Sequence, residues 1–389
     1  MRSVQFLPCF VATTLLCCFV AGSPLVAQTR YVVTNDDTGF PLPNGVSFFS
    51  EGSNGALTLQ GQVNTHNWGI GGGYFGANRV VAANDGQEPC VFISQAVSGN
   101  IAGVLVNSLS LGGVVSGSTN DTGTSNGIGL AVQGDYLYAS FTDSNTIGTF
   151  SIESGCNLTF LGDEPVSGLN GGIINAMATN GTLMVTTFTD GSIESFNIAN
   201  GLPVSNNDEQ LSTATVKSND GTYANQVQIT RNGHYAIFGD TSTGLVLEVS
   251  DLSSGQLSAT KIFGSSKAIS ASNILLSPDE TVLYAVNTQG DTVTAFWFNK
   301  YTGSLQYGCQ SGPIRGQSQS WSYLVNAALV DHSGSGGGVY VAEFGSTSGI
   351  ALIRYLASNG TCYLHEDAAS PFLDPNSTAL LSIAIATSQ

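Results

Sequence analysis

The sequence predicts an all-β fold, a seven-bladed β-propeller with four antiparallel strands per blade, and three observations point to it. Only 10% of the 389 residues are Asp, Glu, Lys or Arg, while 48 are Gly, so the chain lacks helix-favouring residues and is rich in turn formers. A hairpin marker, a small or polar residue followed by Gly, recurs seven times between strand-like runs. The two ends of the chain carry complementary pieces of one blade.

The seven markers are Asn54-Gly55, Ser98-Gly99, Ser154-Gly155, Asn200-Gly201, Ser254-Gly255, Thr302-Gly303 and Asn359-Gly360, spaced 44 to 57 residues apart. Glycine supplies the positive φ that a tight hairpin demands. Alternating strands precede the markers, as in Val46-Ser47-Phe48-Phe49 and Val293-Thr294-Ala295-Phe296. Earlier in each unit lies a continuously apolar run that reads as a second strand: Tyr31–Val33, Val80–Ala82, Tyr136–Tyr138, Leu183–Val185, Tyr235–Ile237, Leu283–Ala285 and Val339–Val341. Before most of these comes a shorter run, such as Ile128–Val132 or Ile274–Leu276. Four strands repeating at a period near 50 are the signature of a propeller. The predicted mature chain opens on a second-strand motif, Tyr31–Val33, and ends on a first-strand run, Leu380–Ala386. Pairing the N- and C-terminal strands in one blade removes an open edge and closes the ring.

Residues 1–27 read as a signal peptide and 28–389 as one propeller domain. Arg2 gives a positive start, an apolar stretch runs from Phe10 to Ala21, and Leu25-Val26-Ala27 offers a small residue at the cleavage point. The apolar run is short for a retained anchor, and no other segment is long and apolar enough to span a bilayer. A secreted or periplasmic protein is expected. The net charge of −17, from 27 acidic and 10 basic residues, repels nucleic-acid phosphates and anionic membranes. It also disfavours a phosphorylated substrate, which usually needs cations. A monomer is expected.

One stretch then becomes recognisable. Ser277-Pro278-Asp279 leads into Leu283-Tyr284-Ala285-Val286-Asn287, followed by Thr292–Phe296 and Tyr301-Thr302-Gly303-Ser304-Leu305. This resembles a blade of the seven-bladed lactonase family, which includes 6-phosphogluconolactonase-like proteins and carboxymuconate-lactonizing enzymes. Weaker echoes at Tyr136–Leu158 and Val339–Thr361 extend the resemblance over nearly the whole mature chain. It implies hydrolysis of a sugar lactone or similar lactone, without a cofactor; predicted export and the scarcity of Arg and Lys point to a non-phosphorylated one. The alternative is a non-catalytic propeller that binds a glycan or a protein partner.

Propeller sites usually lie where the blade-to-blade and second-to-third-strand loops meet the central channel. The longest such loops predicted are Gln60–Gly73, Ser108–Gly127, Asn206–Asn225 and Tyr307–Val325. Lactone hydrolysis needs a base to activate water and donors for the oxyanion. His66 is a candidate base and Arg315 a candidate for polarising the carbonyl or holding a carboxylate. Each also reads as an ordinary surface residue. Trp68, Trp321 and Tyr323 are candidates for substrate contact. Asn126, Asn175, Asn225, Asn273 and Asn326 stand at the starts of first strands, where a ring of amides suits a lactone or carbohydrate; turn capping is the other reading. Asp36, Asp37, Asp85, Asp143, Asp190 and Asp240 recur after the apolar runs, where they could line the mouth and bind a cation such as calcium; Asx turns are the commoner reading. No metal-ligand spacing appears.

Cys90, Cys156, Cys309 and Cys362 remain once the signal is removed. An exported chain favours bridges. The strand assignments instead put neighbouring candidates at opposite strand ends, beyond the roughly 7 Å Cα separation a bridge tolerates. Most are expected to stay unpaired.

Overall fold

Strand type follows from how many faces are covered. Val282–Asn287 and Leu183–Phe188 are buried along their whole lengths, because both faces of a second strand meet a neighbouring blade. The outer strand Asn157–Pro165 is largely exposed or half-buried. The computed structural model describes residues 28–38, 41–69, 78–116, 127–211, 224–240, 245–265, 271–287, 290–315, 323–329, 336–344, 349–377, 380 and 382–388.

These residues form seven antiparallel sheets. In inner-to-outer order, blade 1 is Ser382–Thr387, Arg30–Asn35, Gly45–Glu51 and Leu57–Asn64. Blade 2 is Val80–Asn84, Pro89–Gln95, Asn100–Leu105 and Ser110–Ser116. The inner strands of blades 3 to 7 are Ile128–Gln133, Ile174–Thr179, Ala224–Ile229, Ala271–Leu276 and Tyr323–Leu329. Consecutive inner strands touch all the way round, blade 7 to blade 1 and blade 1 to blade 2 included, so the ring is closed. Closure is the terminal pairing expected, with Val33 opposite Ala384 and Thr34 opposite Ile383. Two short strands add to the edges of blades 4 and 7, Gln210–Leu211 and Phe372–Leu373.

The apolar core is divided among the seams. Seven buried clusters each draw on two consecutive blades, as where Val339 and Val341 of blade 7 meet Val282 and Val286 of blade 6. The marker glycines have a second duty here. A Cβ at Gly201 would stand 2.4 Å from the ring of Tyr136 in the preceding blade, and one at Gly303 would stand 2.6 Å from Tyr235. The Tyr340 hydroxyl likewise reaches the Gly55 carbonyl at 2.8 Å. A second-strand tyrosine lying on the next blade's hairpin thus couples alternate seams.

Blade 2 departs from the sequence reading. Val80–Asn84 is its inner strand, and Ser98-Gly99 joins its second and third strands, on the face opposite the other markers. Val80–Asn84 is largely half-buried and Pro89–Gln95 wholly buried, but both read as apolar runs, so composition alone does not tell them apart. This error, and the sheet twist, overturn the expectation for the cysteines. Cys90 pairs with Cys156 and Cys309 with Cys362, with Cα separations of 5.5 and 5.6 Å. Cys90 opens a second strand, at the same end of the ring as the hairpin holding Cys156. Accumulated twist of roughly 20–25° per strand turns outer strands sideways, so the end of blade 6's outer strand meets the start of blade 7's. A Cβ on Gly308 would stand 2.9 Å from Cys362 Sγ. Both bridges join neighbouring blades.

Candidate functional site

Second-to-third-strand turns and outer-to-inner connections emerge on one face of the ring, the upper face. His66 lies there, exposed, at φ 63°, its backbone N–H donating to Asn64 Oδ1 at 2.7 Å. The residues beside it fasten blade 1 to blade 2: Asn67 Nδ2 donates to Gln95 Oε1 at 3.3 Å, and the Trp68 N–H to Ser98 Oγ at 2.9 Å. Trp68 is 36% exposed. Arg315 lies between blades 6 and 7. Its Nε sits 3.2 Å from Glu366, its N–H donates to the same carboxylate at 2.7 Å, and its Nη2 donates to the Asp367 carbonyl. Among the described contacts none joins His66 to Arg315, and blades 7 and 1 separate their seams. Asn126 and Trp321 fall outside the described residues. Tyr323, Asn225 and Asn326 are described in their backbone alone.

The inner strands explain why the asparagines matter. In blades 4, 5, 6 and 7 the pairing of inner with second strand slips by one residue near the upper end, at Ile174/Ala176, Ala224/Gln226, Ala271/Asn273 and Leu324/Asn326. The corresponding pairs of blades 1, 2 and 3 run in register. Bulges re-aim side chains and gather beside functional sites. Asn175 is the extra residue in blade 4 and is 7% exposed. Asn273 follows the bulge in blade 6 and is 1% exposed.

Unsatisfied polar atoms collect at this upper end of blade 6. Neither Nδ2 nor Oδ1 of buried Asn273 has a hydrogen-bond partner, nor do Asn287 Oδ1 and Asp291 Oδ1. Native interiors rarely leave such atoms unpaired, and each calls for an explanation. Asp291 sits at φ 48° in the turn after Val282–Asn287, and its carbonyl accepts from the Ile314 N–H at 2.9 Å, one residue from Arg315. Burial pushes its carboxyl up to about 6. Alternation places Asn273 on the same wall as Leu275, facing the blade 6–blade 7 seam, and Glu343, 1% exposed, on the opposite wall with Val341. The upper ends of blades 6 and 7 thus carry an amide, a carboxyl raised to about 6 and a second carboxyl. Of these the sequence pointed to Asn273 alone. Asp291 and Glu343 carried no signal, because acidic residues after apolar runs are ordinary turn formers.

A second polar cluster ties blade 1 to its neighbours. Arg79, 1% exposed, pairs with Asp37 at 2.7 Å, and Asn35 Nδ2 donates to the Ser94 carbonyl at 3.2 Å. The Thr34 hydroxyl lies 3.0 Å from Asp36 Oδ1 and 2.9 Å from Asp374 Oδ2, while Gln62 Nε2 donates to Asp36 Oδ2 at 2.6 Å. Burial, and then the Asp374 charge, push the Asp36 carboxyl up to about 7. The doublet Asp36-Asp37 was visible in the sequence; its distant partners Arg79 and Asp374 were not.

Against the opposing effect of burial, the turn carboxylates Asp85 and Asp190 are held below the usual range, Asp85 by backbone N–H donors and Asp190 by the Ser192 hydroxyl and then backbone N–H donors. Among the described residues the one close grouping of potential metal ligands is Asp85 with Cys90 and Cys156, whose thiols are spent in their bridge.

The sequence matches the family described as lactonase, 7-bladed beta-propeller, over residues 91–375. No curated protein matches it. Among solved structures it is similar to a putative 6-phosphogluconolactonase from Bacteroides uniformis, at 14% identity and a TM-score of 0.54, covering 71% of this chain and 80% of that one. The periplasmic gluconolactonase PpgL of Pseudomonas aeruginosa gives 16% identity and 0.53, with 71% and 80% covered. A protein from Lactobacillus plantarum gives 14% and 0.61, with 92% and 99% covered. At these identities the structural likeness speaks to the fold alone.

Proposed function

The chain belongs to the seven-bladed β-propeller lactonase family, and on that premise we propose that it hydrolyses a neutral, non-phosphorylated lactone at the upper end of blade 6. The observation that carries this reading is the buried Asn273 amide, with both polar atoms unpartnered, on the inner strand of the blade whose second-to-third-strand turn carries Asp291. A bound lactone would satisfy what the protein leaves open.

In the proposed reaction the Asp291 carboxylate takes a proton from water as the oxygen attacks the lactone carbonyl. The Asn273 amide donates to the oxyanion that develops. The ring C–O bond then breaks, the proton passes to the departing alkoxide, and the hydroxy acid formed releases its own carboxyl proton to solvent. Arg315, with 53% of its side chain exposed, is assigned to attract that carboxylate at the rim. His66 and Trp68 are assigned to the sugar-facing side, together with Asn126, Asn175, Asn225, Asn326, Trp321 and Tyr323. The net charge of −17 favours a substrate without phosphate. Residues 1–27 are proposed to direct export, which would place the reaction outside the cytosol; the Pseudomonas aeruginosa neighbour is a periplasmic gluconolactonase.

The test is acid release by the purified chain from a panel of aldonolactones with and without a phosphate. Turnover should be confined to the neutral members and should rise with pH through about 6. Asp291→Asn should lower kcat by roughly 10²-fold or more, and Asn273→Ala by about 10²-fold. His66→Ala and Arg315→Ala test the two rim assignments. Absence of turnover on every lactone would favour the second reading, a glycan-binding propeller, for which the amides and hydroxyls of the upper face also suit.

A further inference from the structure

A cavity of about 560 Å³ opens between blades 1 and 7 on the opposite, lower face, lined among others by Arg30, Glu51, Arg354 and His365. Its size falls in the range of about 300–1,000 Å³ usual for small-molecule sites. Its composition is unusual for this protein. The chain holds only 10 Lys and Arg against 27 acidic residues, yet two arginines and a histidine line this one space.

Each guanidinium is held by its Nε edge. Arg30 Nε lies 3.2 Å from Glu51, with 24% of the side chain exposed; Arg354 Nε lies 3.0 Å from Asp367, with 26% exposed. Nη2 of Arg354 donates to the Asn54 carbonyl in the hairpin of blade 1. A guanidinium has five N–H donors in a planar fork that suits carboxylates, and the described bonds of Arg354 use two. The Nδ1 atom of His365 is buried without a hydrogen-bond partner, and its ring stacks on Tyr363 with centroids 5.2 Å apart. Glu51 accepts from the Tyr340 hydroxyl at 2.9 Å through Oε1.

The opening depends on glycine. Gly336 and Gly337 line the cavity at the start of blade 7's second strand, and a Cβ on Gly336 would meet nothing within 4 Å. Gly336 is not among the residues with positive φ, so its backbone does not require glycine. The missing side chain leaves the cavity open.

We infer that this lower-face cavity is a binding site for a small sugar acid, a polyhydroxylated carboxylate of the uronate or aldonate class. The Arg354 fork takes the carboxylate, with Arg30 adding its charge, and Glu51 and the partnerless His365 nitrogen take hydroxyls. The site is distinct from that of the proposed hydrolysis: it lies on the other face of the ring and shares no lining residue with it, although Asp367 touches both Arg354 and Arg315.

The experiment is calorimetric titration of the purified chain with D-glucuronate, D-gluconate, D-glucose and inorganic phosphate, beside the variants Gly336→Leu and Arg354→Gln. Saturable binding of a sugar acid is expected, with glucose and phosphate at least ~tenfold weaker. Gly336→Leu, which fills the space without backbone strain, should abolish binding while leaving the melting temperature and any lactone turnover unchanged. Arg354→Gln should weaken binding at least ~tenfold. No binding of either sugar acid, equal binding of phosphate, or undiminished binding by Gly336→Leu would each overturn the assignment.

Discussion

Removing the bridge between blades 6 and 7 gives the sharpest test of how this ring is held. Cys309 and Cys362 are 53 residues apart in sequence and both half-buried. Serine at each leaves the thiol positions filled and partly wetted, so the cost is chiefly the lost cross-link. Closing a loop of that length removes about 14 cal/mol/K from the unfolded chain, or about 4 kcal/mol at 25 °C. A domain of roughly 360 residues unfolds with an entropy near 0.76 kcal/mol/K, so the double variant should melt about 5 °C lower. Differential scanning calorimetry of the wild type, Cys309→Ser/Cys362→Ser and Cys309→Ser alone measures this. The single variant should fall by at least as much as the double. Mild reductant should bring the wild type to the same melting point first, because Cys90 and Cys156 are fully buried and open later. A double variant melting within about 1 °C of wild type would refute the reasoning, since the unfolded chain would then gain no freedom from the missing bridge.

Other perturbations probe the buried charges and the close contacts. The folded state holds Asp36 protonated up to about pH 7, against an ordinary value of 3.8, while the unfolded chain loses that proton near pH 4. Stability should therefore be greatest in acid and fall as pH rises through this window, by an amount on the order of 4 kcal/mol; Asp36→Asn should flatten the pH dependence of denaturant unfolding, and an unchanged slope would sink the assignment. Arg79→Met strands the Asp37 carboxylate in the interior and should cost about 3–5 kcal/mol, with Asp37→Asn in the same chain restoring part of it. That recovery is read from the urea midpoint, and additive losses would argue against a coupled pair. A Cβ at Gly103 would stand 2.0 Å from the Cys156 carbonyl, so Gly103→Ala should lower the melting point by several degrees, whereas Gly336→Ala should not.

The fold was legible because its repeat is local. A second-strand run buried on both faces, an alternating third strand and a glycine at the hairpin recur at a period that a reader can count, and six of the seven units were read in the right strand order. Ring closure was legible for the same reason: Tyr31–Val33 and Leu380–Ala386 are the two halves of one unit. Blade 2 was misread because Val80–Asn84 and Pro89–Gln95 are both apolar enough to be a second strand, and only their pairing distinguishes them.

What the sequence by itself determined is therefore the type and order of the elements, the family, and the acidic, cation-poor surface. The tertiary structure decided which distant residues meet. Cys309 reaches Cys362 because twist swings outer strands sideways, Asp36 titrates near neutrality because Asp374 and burial are brought to it from the far end of the chain, and the Asn273 amide is left open because a bulge in its strand aims it where the protein supplies no partner. Periodicity reports which face a side chain takes; only the closed ring fixes what stands opposite.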